Sequence, residues 1–328
     1  MATTQRVAET EFLPLAEPYR RELLAHCYRM LGSIHDAEDL VQETYLRGWR
    51  AYDRFQGRSS LRTWLYQIAT NACLTALESR VRRPLPTGLG APASDPEGEL
   101  QQSEVPWLEP VPDVIVGAGP ADPAVIVTSR ESIRLAFIAA LQYLPPRQRA
   151  VLILREVLSW RAAEVAELLG TTTAAVNSML QRARAQISQA APAEDTVSEP
   201  ETAQQRELLD RYVAAFEDYD VAALTSLFSE QAIWEMPPYT GWYQTPADIG
   251  RLVANQCPAK TPGDLRLVPT RANGQPAFGV YYREDGEHRA FQLHVLRLSG
   301  GEIDHVVSFF DTTLMPLFGL PEVLPAAP

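Results

Sequence analysis

The segment from Ala162 to Gln181 has the pattern of a helix-turn-helix, and it constrains the fold more than any other stretch. The small residue Ala166 lies where two helices must pass closely, and Gly170 follows at a turn that favours a positive φ. Val176 then faces back between the helices. We expect a second helix that begins near Thr173 and buries one apolar face. Its buried residues are Val176, Leu180, Ala183 and Ile187.

The opposite face of this second helix is polar and cationic. Short polar side chains and arginines on such a helix read base edges and contact phosphates in the major groove of DNA. The outer residues are Thr173, Asn177, Ser178, Gln181, Arg182 and Arg184. An ordinary helical hairpin with a glycine cap is the alternative. The small residue, the glycine and the inward valine together favour DNA binding.

The net charge of −12 does not exclude a nucleic-acid partner, because the charge is unevenly divided along the chain. Residues 1–83 carry 12 arginines against 10 acids, and residues 130–189 carry eight against four. The acidic excess lies in residues 84–129, with seven acids and no base, and in residues 190–328, with 20 acids against nine bases. Two mildly basic segments therefore alternate with two acidic ones.

Cysteine usage and hydropathy give no sign of a metal, a cofactor or a membrane. Cys27, Cys73 and Cys257 are far apart, and no second Cys/His pair completes a zinc site with His26 and Cys27. The N-terminus lacks an apolar signal core, and no apolar run approaches about 18 residues. We expect a soluble, cytoplasmic protein without metal or cofactor.

Composition divides the chain into helical, linker and mixed segments. The first helical segment contains a loop over Phe55–Ser60, and Pro84 stops its last helix. The proline- and glycine-rich stretch that follows indicates a mobile acidic linker, with one docking point near Trp107 and Val114–Val116. The boundaries are 10–84 (helical), 85–128 (linker), 129–189 (helical), 190–202 (linker), 203–318 (last domain) and 319–328 (tail).

The last domain changes from helical periodicity to strand-like alternation. An amphipathic helix over 203–217 and a short helix around Val221–Phe228 precede the strands. The strands are expected at Ala232–Met236, Leu265–Thr270, Ala277–Arg283, Ala290–Leu298 and Ile303–Phe310. Helices followed by an antiparallel sheet indicate an α+β domain.

Three motifs resemble those of one protein family. The run Asp36–Thr44 (DAEDLVQET) resembles the signature of sigma factor region 2. The spaced pattern from Phe55 to Asn71 resembles the promoter-melting segment of extracytoplasmic-function (ECF) sigma factors. The run Leu144–Arg149 (LPPRQR), followed by the helix-turn-helix, is similar to their region 4. In this order, joined by an acidic linker, the motifs make residues 10–190 similar to an ECF sigma factor.

The resemblance implies a multidomain fold with two all-α sigma domains, a region 2 helical bundle and a region 4 helix-turn-helix. The remainder, including Trp234–Tyr239, resembles the SnoaL-like extension fused to one subgroup of these factors. That extension is an α+β, ketosteroid-isomerase-like domain with a cone-shaped pocket. The linker run Trp107–Asp113 resembles a tryptophan- and proline-containing motif of the same subgroup. A sigma factor makes no bond, so the resemblance implies no catalytic residue.

The resemblance implies that the helix over Asp36–Trp49 binds core RNA polymerase. Carboxylates on this helix complement a basic or mixed partner surface, although a solvated acidic face remains the alternative for each. The candidate contacts are Asp36, Asp39, Gln42 and Glu43, with Glu38 beside them.

The resemblance assigns the loop Gln56–Ser60 and the following helix to the melted −10 element of promoter DNA. A small loop with amide, hydroxyl and guanidinium groups can surround a flipped base, while arginines neutralise phosphates of the non-template strand. The candidates are Gln56, Gly57, Arg58, Ser59, Ser60, Arg62, Thr63, Asn71 and Arg80. Trp64 could stack on a base, but its place on an amphipathic helix favours the core.

Region 4 is expected to bind the −35 element as a duplex. Base readout is assigned to Asn177, Ser178 and Gln181, and phosphate contact to Arg182 and Arg184. Hydroxyls and backbone N–H groups at the helix N-terminus, where the dipole favours phosphate, come from Thr171, Thr172 and Thr173.

Three interpretations of the acidic C-terminal domain remain open. It regulates the sigma regions by intramolecular contact, as the resemblance implies, or it senses a ligand, or it is an enzyme. The candidate pocket residues are Trp234, Tyr239, Trp242, Tyr243, His294 and Phe310, although aromatic residues on strands are usually core. The candidate acid–base groups are Glu235, His294, Asp304 and His305. Adjacent strand residues point to opposite faces, which argues against a dyad of Asp304 and His305.

Two alternatives apply to the whole chain. One is a helix-turn-helix regulator that binds duplex DNA without polymerase, and the region 2-like motifs argue against it. The other is an isomerase-like enzyme, which leaves the first 190 residues without a role.

Overall fold

The computed structural model describes residues 12–57, 59–79, 81–116, 132–190 and 202–325. These residues divide into two units. The first lies within Met1–Arg83 and Leu108–Ala193, and the second within Pro84–Trp107 and Glu194–Pro328. The described part of the linker expected over 85–128 therefore needs a correction. Instead of forming a separate tether, it is divided between the two units.

Three helices form the region 2 part of the first unit, and serine caps fix where two of them begin. The helices are α1 (Arg20–Leu31), α2 (Ile34–Ala51) and α3 (Leu61–Glu78). The chain turns after α1 at Gly32, whose φ is 71°. Ser33 Oγ accepts a hydrogen bond from Asp36 N–H at 3.1 Å, and Ser60 Oγ accepts one from Thr63 N–H at 3.1 Å.

The segment 108–116 packs against this bundle and contains the short helix α4 (Asp113–Val116). Leu108 and Val111 are fully buried. The Glu109 carboxylate accepts hydrogen bonds from Ser33 Oγ at 2.9 Å and from Ile34 N–H at 3.0 Å. This carboxylate therefore lies at the N-terminus of α2, where the helix dipole favours a negative charge.

Within the described residues, the region 4 part of the same unit contains four α-helices, and the last two are the helix-turn-helix. The helices are α5 (Leu135–Leu141), α6 (Pro146–Leu152), α7 (Ala162–Leu168) and α8 (Thr173–Ala190). The expected turn and start of the second helix are confirmed, since Gly170 has a φ of 59° and α8 begins at Thr173. Val176, Leu180 and Ala183 are buried, whereas Ile187 is only half-buried near the end of the helix.

Regions 2 and 4 pack against each other around a buried arginine. The Arg149 guanidinium donates to the carbonyl oxygens of Gln142 at 3.1 Å, of Leu144 at 3.2 Å and of Met30. Only 3% of Arg149 is exposed, and this burial lowers its pKa to about 10. The guanidinium therefore satisfies carbonyls near the C-termini of both α1 and α5. Tyr66 and Trp160 add an edge-to-face contact at 5.7 Å.

The second unit consists of helices followed by a six-stranded sheet. Its helices are α9 (Ala203–Glu217), α10 (Val221–Thr225) and α11 (Pro246–Gln256). Its strands are β1 (Phe228–Glu235), β2 (Trp242–Gln244), β3 (Leu265–Ala272), β4 (Gln275–Glu284), β5 (Glu287–Ser299) and β6 (Glu302–Phe309). The strand order is β2-β1-β6-β5-β4-β3, with β1 and β6 parallel and the other neighbours antiparallel. The sequence pattern missed β2, because three residues are too few for an alternation to stand out.

Helices cover one face of the sheet, and the C-terminal segment covers the other. Tyr212, Trp234 and Phe278 belong to the core on the helical side, which gives the unit its SnoaL-like α+β arrangement. On the opposite face, a Cβ at Gly279 would lie 2.6 Å from Leu320 Cδ1. The Leu324 N–H donates to the His288 carbonyl at 2.9 Å. The described part of the expected tail, 319–328, is therefore packed against the sheet.

We predict that Arg149→Met destabilises the first unit by about 1–3 kcal/mol, because it leaves buried carbonyl oxygens without a donor. Urea denaturation of the full chain, followed by the helical circular dichroism signal, should show a lower midpoint. Arg161→Met is the control, because the Arg161 side chain is 83% exposed and its removal should leave the midpoint nearly unchanged. Equal midpoints for the two variants would contradict the structural role of Arg149.

Candidate nucleic-acid interface

The outward face of α8 presents the residues expected to contact the −35 element. Its polar side chains lie opposite Val176, Leu180 and Ala183, which pack into the helix-turn-helix. The exposed residues are Thr172, Thr173, Asn177, Ser178, Gln181, Arg182 and Arg184, and Thr171 is half-buried. The helical spacing therefore brings all eight to one end or one face of the same helix.

Side-chain hydrogen bonds already engage two of these residues. Thr172 Oγ1 accepts a hydrogen bond from Ala175 N–H at 3.2 Å, so this hydroxyl caps α8. Arg184 Nη2 donates to Glu156 Oε1 at 2.6 Å, although both side chains are largely exposed. Among the described residues, Arg182 has no ion pair. Arg182 is therefore the cation on this face with the fewest competing contacts.

The loop before α3 has an open surface. Gln56 and Ser60 are exposed, and Ser59 is half-buried. Gly57 has a φ of 65°, and a Cβ at this position would have no atom within 4 Å. This turn therefore needs glycine for its backbone conformation rather than for space. Arg58 and Arg80, two expected phosphate contacts, lie outside the described residues.

Arg62, a candidate phosphate contact, forms an ion pair within the helical bundle. Its Nε and Nη2 donate to Glu22 Oε2 at 2.8 and 2.7 Å, and its guanidinium lies 5.0 Å from the Tyr66 ring centroid. The Glu22 carboxylate therefore competes with a DNA phosphate for the Arg62 guanidinium. Asn71 is exposed further along α3, roughly 15 Å from the start of that helix at 1.5 Å per residue.

Trp64 lies beside the loop and is half-buried. Its burial is therefore intermediate between that of a core residue and that of a ring exposed for stacking on a base. Its ring stacks on Phe55 with centroids 4.8 Å apart and an interplanar angle of 29°. Phe55 in turn stacks on Tyr52 at 6.3 Å. Sequence reasoning missed this row of three rings, because Tyr52 lies in a short 3-10 helix and Phe55 at the start of the loop, where no periodic pattern relates them to Trp64.

Of the four expected polymerase contacts on α2, two are ion-paired within the chain and two are exposed. Asp36 is paired with Arg83 at 2.7 Å, and Glu43 is paired with Arg47 at 2.7 Å. Asp39 and Gln42 are exposed. Their face continues, one turn further, to Leu46, which is 46% exposed. A single exposed leucine is common on protein surfaces, so Leu46 marks a candidate contact only together with the exposed Asp39 and Gln42 beside it.

The acid–base candidates of the second unit do not converge on one point. Glu235 Oε1 accepts a hydrogen bond from His305 Nε2–H at 2.7 Å, whereas Asp304 is paired with Arg297 at 2.8 Å. A hydrogen bond of 2.8 Å joins His294 Nδ1 and Tyr212 Oη in the core. Burial lowers the pKa of His294 to about 3, so this imidazole is neutral at physiological pH.

The expected pocket residues occupy several different places in the described part of the second unit. Trp234, Tyr243 and His294 are buried in or beside its core. Tyr239 and Phe310 form an edge-to-face pair at 5.2 Å. Trp242 Nε1–H donates to the Gly90 carbonyl at 2.9 Å. A groove of 410 Å³ lies elsewhere and is lined by Arg206, Leu209, Asp210, Val213, Leu267, Pro269 and Phe278.

The part of the chain that the structure describes shows neither a metal-binding cluster nor a membrane-spanning helix. No group of three or more His, Cys, Asp or Glu side chains is placed to hold a metal ion. No helix in the described ranges combines the length and the apolarity that a membrane span requires.

Comparison with known proteins places two family matches on the helical part of the chain. Residues 15–83 match the Sigma-70 region 2 family, and residues 134–187 match the Sigma-70 region 4 family. The chain is 61% identical over 316 residues to the ECF RNA polymerase sigma factor SigG of Mycobacterium tuberculosis, covering 96% of this chain and 85% of that protein.

A second relative supports the same assignment and the fold. The ECF RNA polymerase sigma factor SigJ of M. tuberculosis is 32% identical over 212 residues, covering 64% of this chain and 60% of that protein. The SigJ crystal structure superposes with a TM-score of 0.62 at 22% identity, covering 94% of this chain and 100% of that chain. The chain therefore belongs to the ECF family of RNA polymerase sigma factors, which direct core polymerase to specific promoters and promote initiation.

Proposed function

We propose that three separate surfaces of the first unit carry out promoter-directed initiation. The outer face of α8 reads the −35 element, the loop before α3 engages the −10 element, and the exposed face of α2 binds core RNA polymerase. The observation that carries this proposal is the division of α8 into a buried apolar face and an exposed polar face within a helix-turn-helix.

Within the −35 surface, base readout and phosphate contact belong to different side chains. Asn177, Ser178 and Gln181 have amide and hydroxyl groups that can pair with base edges in the major groove. Arg182 is the main phosphate contact, and Arg184 contributes when DNA competes with Glu156 for its guanidinium. Thr171, Thr172 and Thr173 supply donors at the helix N-terminus, where the dipole favours phosphate.

The −10 surface uses the open loop and the exposed edge of α3. Gln56, Gly57, Ser59 and Ser60 form the loop that surrounds a flipped base, together with Arg58. Phosphates of the melted strand are contacted by Arg80 and by Arg62 once DNA displaces Glu22. Thr63 and Asn71 face the same strand along α3, and the row of Tyr52, Phe55 and Trp64 offers aromatic rings beside it.

The polymerase surface is centred on Leu46 rather than on the paired carboxylates. Asp36 and Glu43 are already engaged by arginines of this chain, so they contribute less to a partner than Asp39 and Gln42. An apolar side chain with polar neighbours loses its hydration on binding, which favours association.

The second unit is proposed to be regulatory and not enzymatic. Its acid–base groups lie in three places, and the one carboxylate–imidazole pair, Glu235 with His305, is occupied within the fold because the buried Glu235 carboxylate also accepts from Thr87 N–H. Because its role is tied to polymerase, the protein is proposed to act in the cytoplasm. A regulator that works without polymerase is the alternative, and stoichiometric copurification with core polymerase would exclude it.

We predict different consequences for base-reading and phosphate-binding substitutions on α8. Gln181→Ala should change preference at one −35 position, with a discrimination of about 1–3 kcal/mol. Arg182→Ala should weaken binding to all sequences and reduce the salt slope by about 1. Binding of the full chain to −35 duplexes, selected from a random pool, would be measured at several salt concentrations. Equal losses on every duplex after Gln181→Ala would contradict base readout.

We predict that Leu46→Glu weakens binding to core polymerase at least about tenfold, because it places a charge in a surface that must lose water. Fluorescence titration of the full chain with core enzyme, followed by run-off transcription, would measure the loss. Leu13→Glu is the control, because Leu13 is exposed to a similar extent, 48% against 46% for Leu46. Failure of the unaltered chain to give core enzyme any start-site selectivity would overturn the proposed function itself.

A further inference from the structure

Phe12 is a fully buried residue to which the proposed function gives no role. It precedes the part of the chain that matches region 2, which begins at residue 15. We propose that Phe12 is a positioning residue for the −10 surface. Its ring holds the row of Tyr52, Phe55 and Trp64 in place, and through that row it holds the loop that captures the melted strand. This inference rests on the proposed function, because it concerns how the −10 surface is held.

The segment 12–16 is fixed against the C-terminal half of α2. Phe12 and Ala16 have no exposed surface, whereas the neighbouring Leu13 is 48% exposed. Tyr45 Oη–H donates a hydrogen bond of 3.1 Å to the Ala16 carbonyl. The Phe12 ring meets the Tyr45 ring edge-to-face, with centroids 6.3 Å apart. Two contacts therefore hold the segment to α2, and Phe12 is its buried ring.

A glycine of α2 makes room for the Phe12 ring. An ideal Cβ at Gly48 would lie 2.7 Å from Phe12 Cζ and 3.3 Å from Phe12 Cε2. Atoms in a packed core do not approach this closely, so a larger residue at this position would displace the ring. Gly48 lies in the interior of α2, where alanine would favour the helix more. The position of the Phe12 ring therefore depends on this glycine.

A continuous series of ring contacts leads from Phe12 to the −10 loop. The centroids of Phe12 and Tyr52 are 5.3 Å apart, and Tyr52 stacks on Phe55 at 6.3 Å with an interplanar angle of 15°. Phe55 in turn stacks on Trp64 at 4.8 Å. Aromatic pairs at such distances attract each other beyond the effect of their buried area. The three half-buried rings therefore rest, at one end, on a ring without exposed surface.

This row of rings lies at both ends of the −10 loop. Phe55 directly precedes Gln56, and Trp64 lies in the first turn of α3, four residues after the helix cap Ser60. A fixed distance between the two rings therefore fixes both ends of the loop. Groups that capture a ligand bind it more tightly when their neighbours hold them in place beforehand. Phe12 thereby reduces the conformational entropy that the loop loses when a base enters.

An unpaired base is the ligand that such a row of rings suits. Every base has a π-face, and stacking on an aromatic side chain requires no particular sequence. Trp64 is half-buried, so part of its ring remains accessible. Bases within a duplex are already stacked on their neighbours. The contribution of Phe12 therefore applies to the melted −10 strand and not to the −35 duplex.

The test compares Phe12→Ala with Leu13→Ala, in the full chain bound to core polymerase. These are adjacent large-to-small substitutions, one at a buried ring and one at an exposed side chain, so Leu13→Ala is the matched control. Gly48→Ala is the second variant. It keeps the Phe12 side chain but displaces its ring, and alanine favours the helix, so a loss would not result from a weakened α2.

Three affinities are measured for each variant. The first is the affinity of the holoenzyme for a fluorescent single-stranded oligonucleotide with the −10 non-template sequence. The second is its affinity for a −35 duplex, and the third is the affinity of the chain for core enzyme. Both DNA sequences come from a promoter that the unaltered holoenzyme selects from a random pool.

We predict that Phe12→Ala and Gly48→Ala each weaken binding of the single-stranded −10 oligonucleotide at least about fivefold, because the loop and the rings lose their fixed positions. Leu13→Ala should bind this oligonucleotide as the unaltered chain does. The affinities for the −35 duplex and for core enzyme should stay within about twofold in all three variants, because the outer face of α8 and the exposed face of α2 are unaltered.

Equal binding of the −10 oligonucleotide by Phe12→Ala and Leu13→Ala would overturn the positioning role. If Phe12→Ala loses all three affinities, Gly48→Ala decides between positioning and a general fold defect. A selective loss of −10 binding in Gly48→Ala supports the proposal, and an unchanged affinity or an equally general loss overturns it. An unaltered holoenzyme that binds neither DNA with any sequence preference would overturn the proposed function itself.

Discussion

One carboxylate without exposed surface connects the linker between the sigma regions to the C-terminal sheet. Glu235 accepts hydrogen bonds from a histidine on β6 and from the backbone of Thr87, which precedes region 4 by more than forty residues. Burying a carboxylate costs several kcal/mol unless hydrogen bonds satisfy it. The C-terminal domain is therefore not a simple extension after region 4, because part of its own structure comes from the chain before region 4.

The first unit combines a shared core with a free reading surface. Arg149 satisfies carbonyls near the ends of α1 and α5, so the two sigma regions pack together at a site away from the outer face of α8. The DNA-reading residues stay exposed in this arrangement.

Periodic patterns were reliable where a residue's environment follows from its neighbours in the chain. The buried and exposed faces of α8 follow from helical spacing, and the turn at Gly170 follows from glycine's freedom at positive φ. Contacts with partners distant in the chain could not be predicted in this way. The sequence did not show that Arg62 pairs with Glu22, or that Trp234 and His294 are buried in the core. The sequence did not indicate that Leu46 is exposed, because an apolar residue on a helix is as a rule assigned to the core.

The sequence by itself determined the helical regions, the helix-turn-helix, the α+β character of the last domain and the family resemblance, because these depend on local periodicity and short motifs. Only the tertiary structure decided that the proline-rich segment is divided at Leu108, with one part on the sheet and one on region 2. The physical reason is that its backbone hydrogen bonds and Glu235 find their partners across the fold. Irregular segments have no period from which such partners could be inferred.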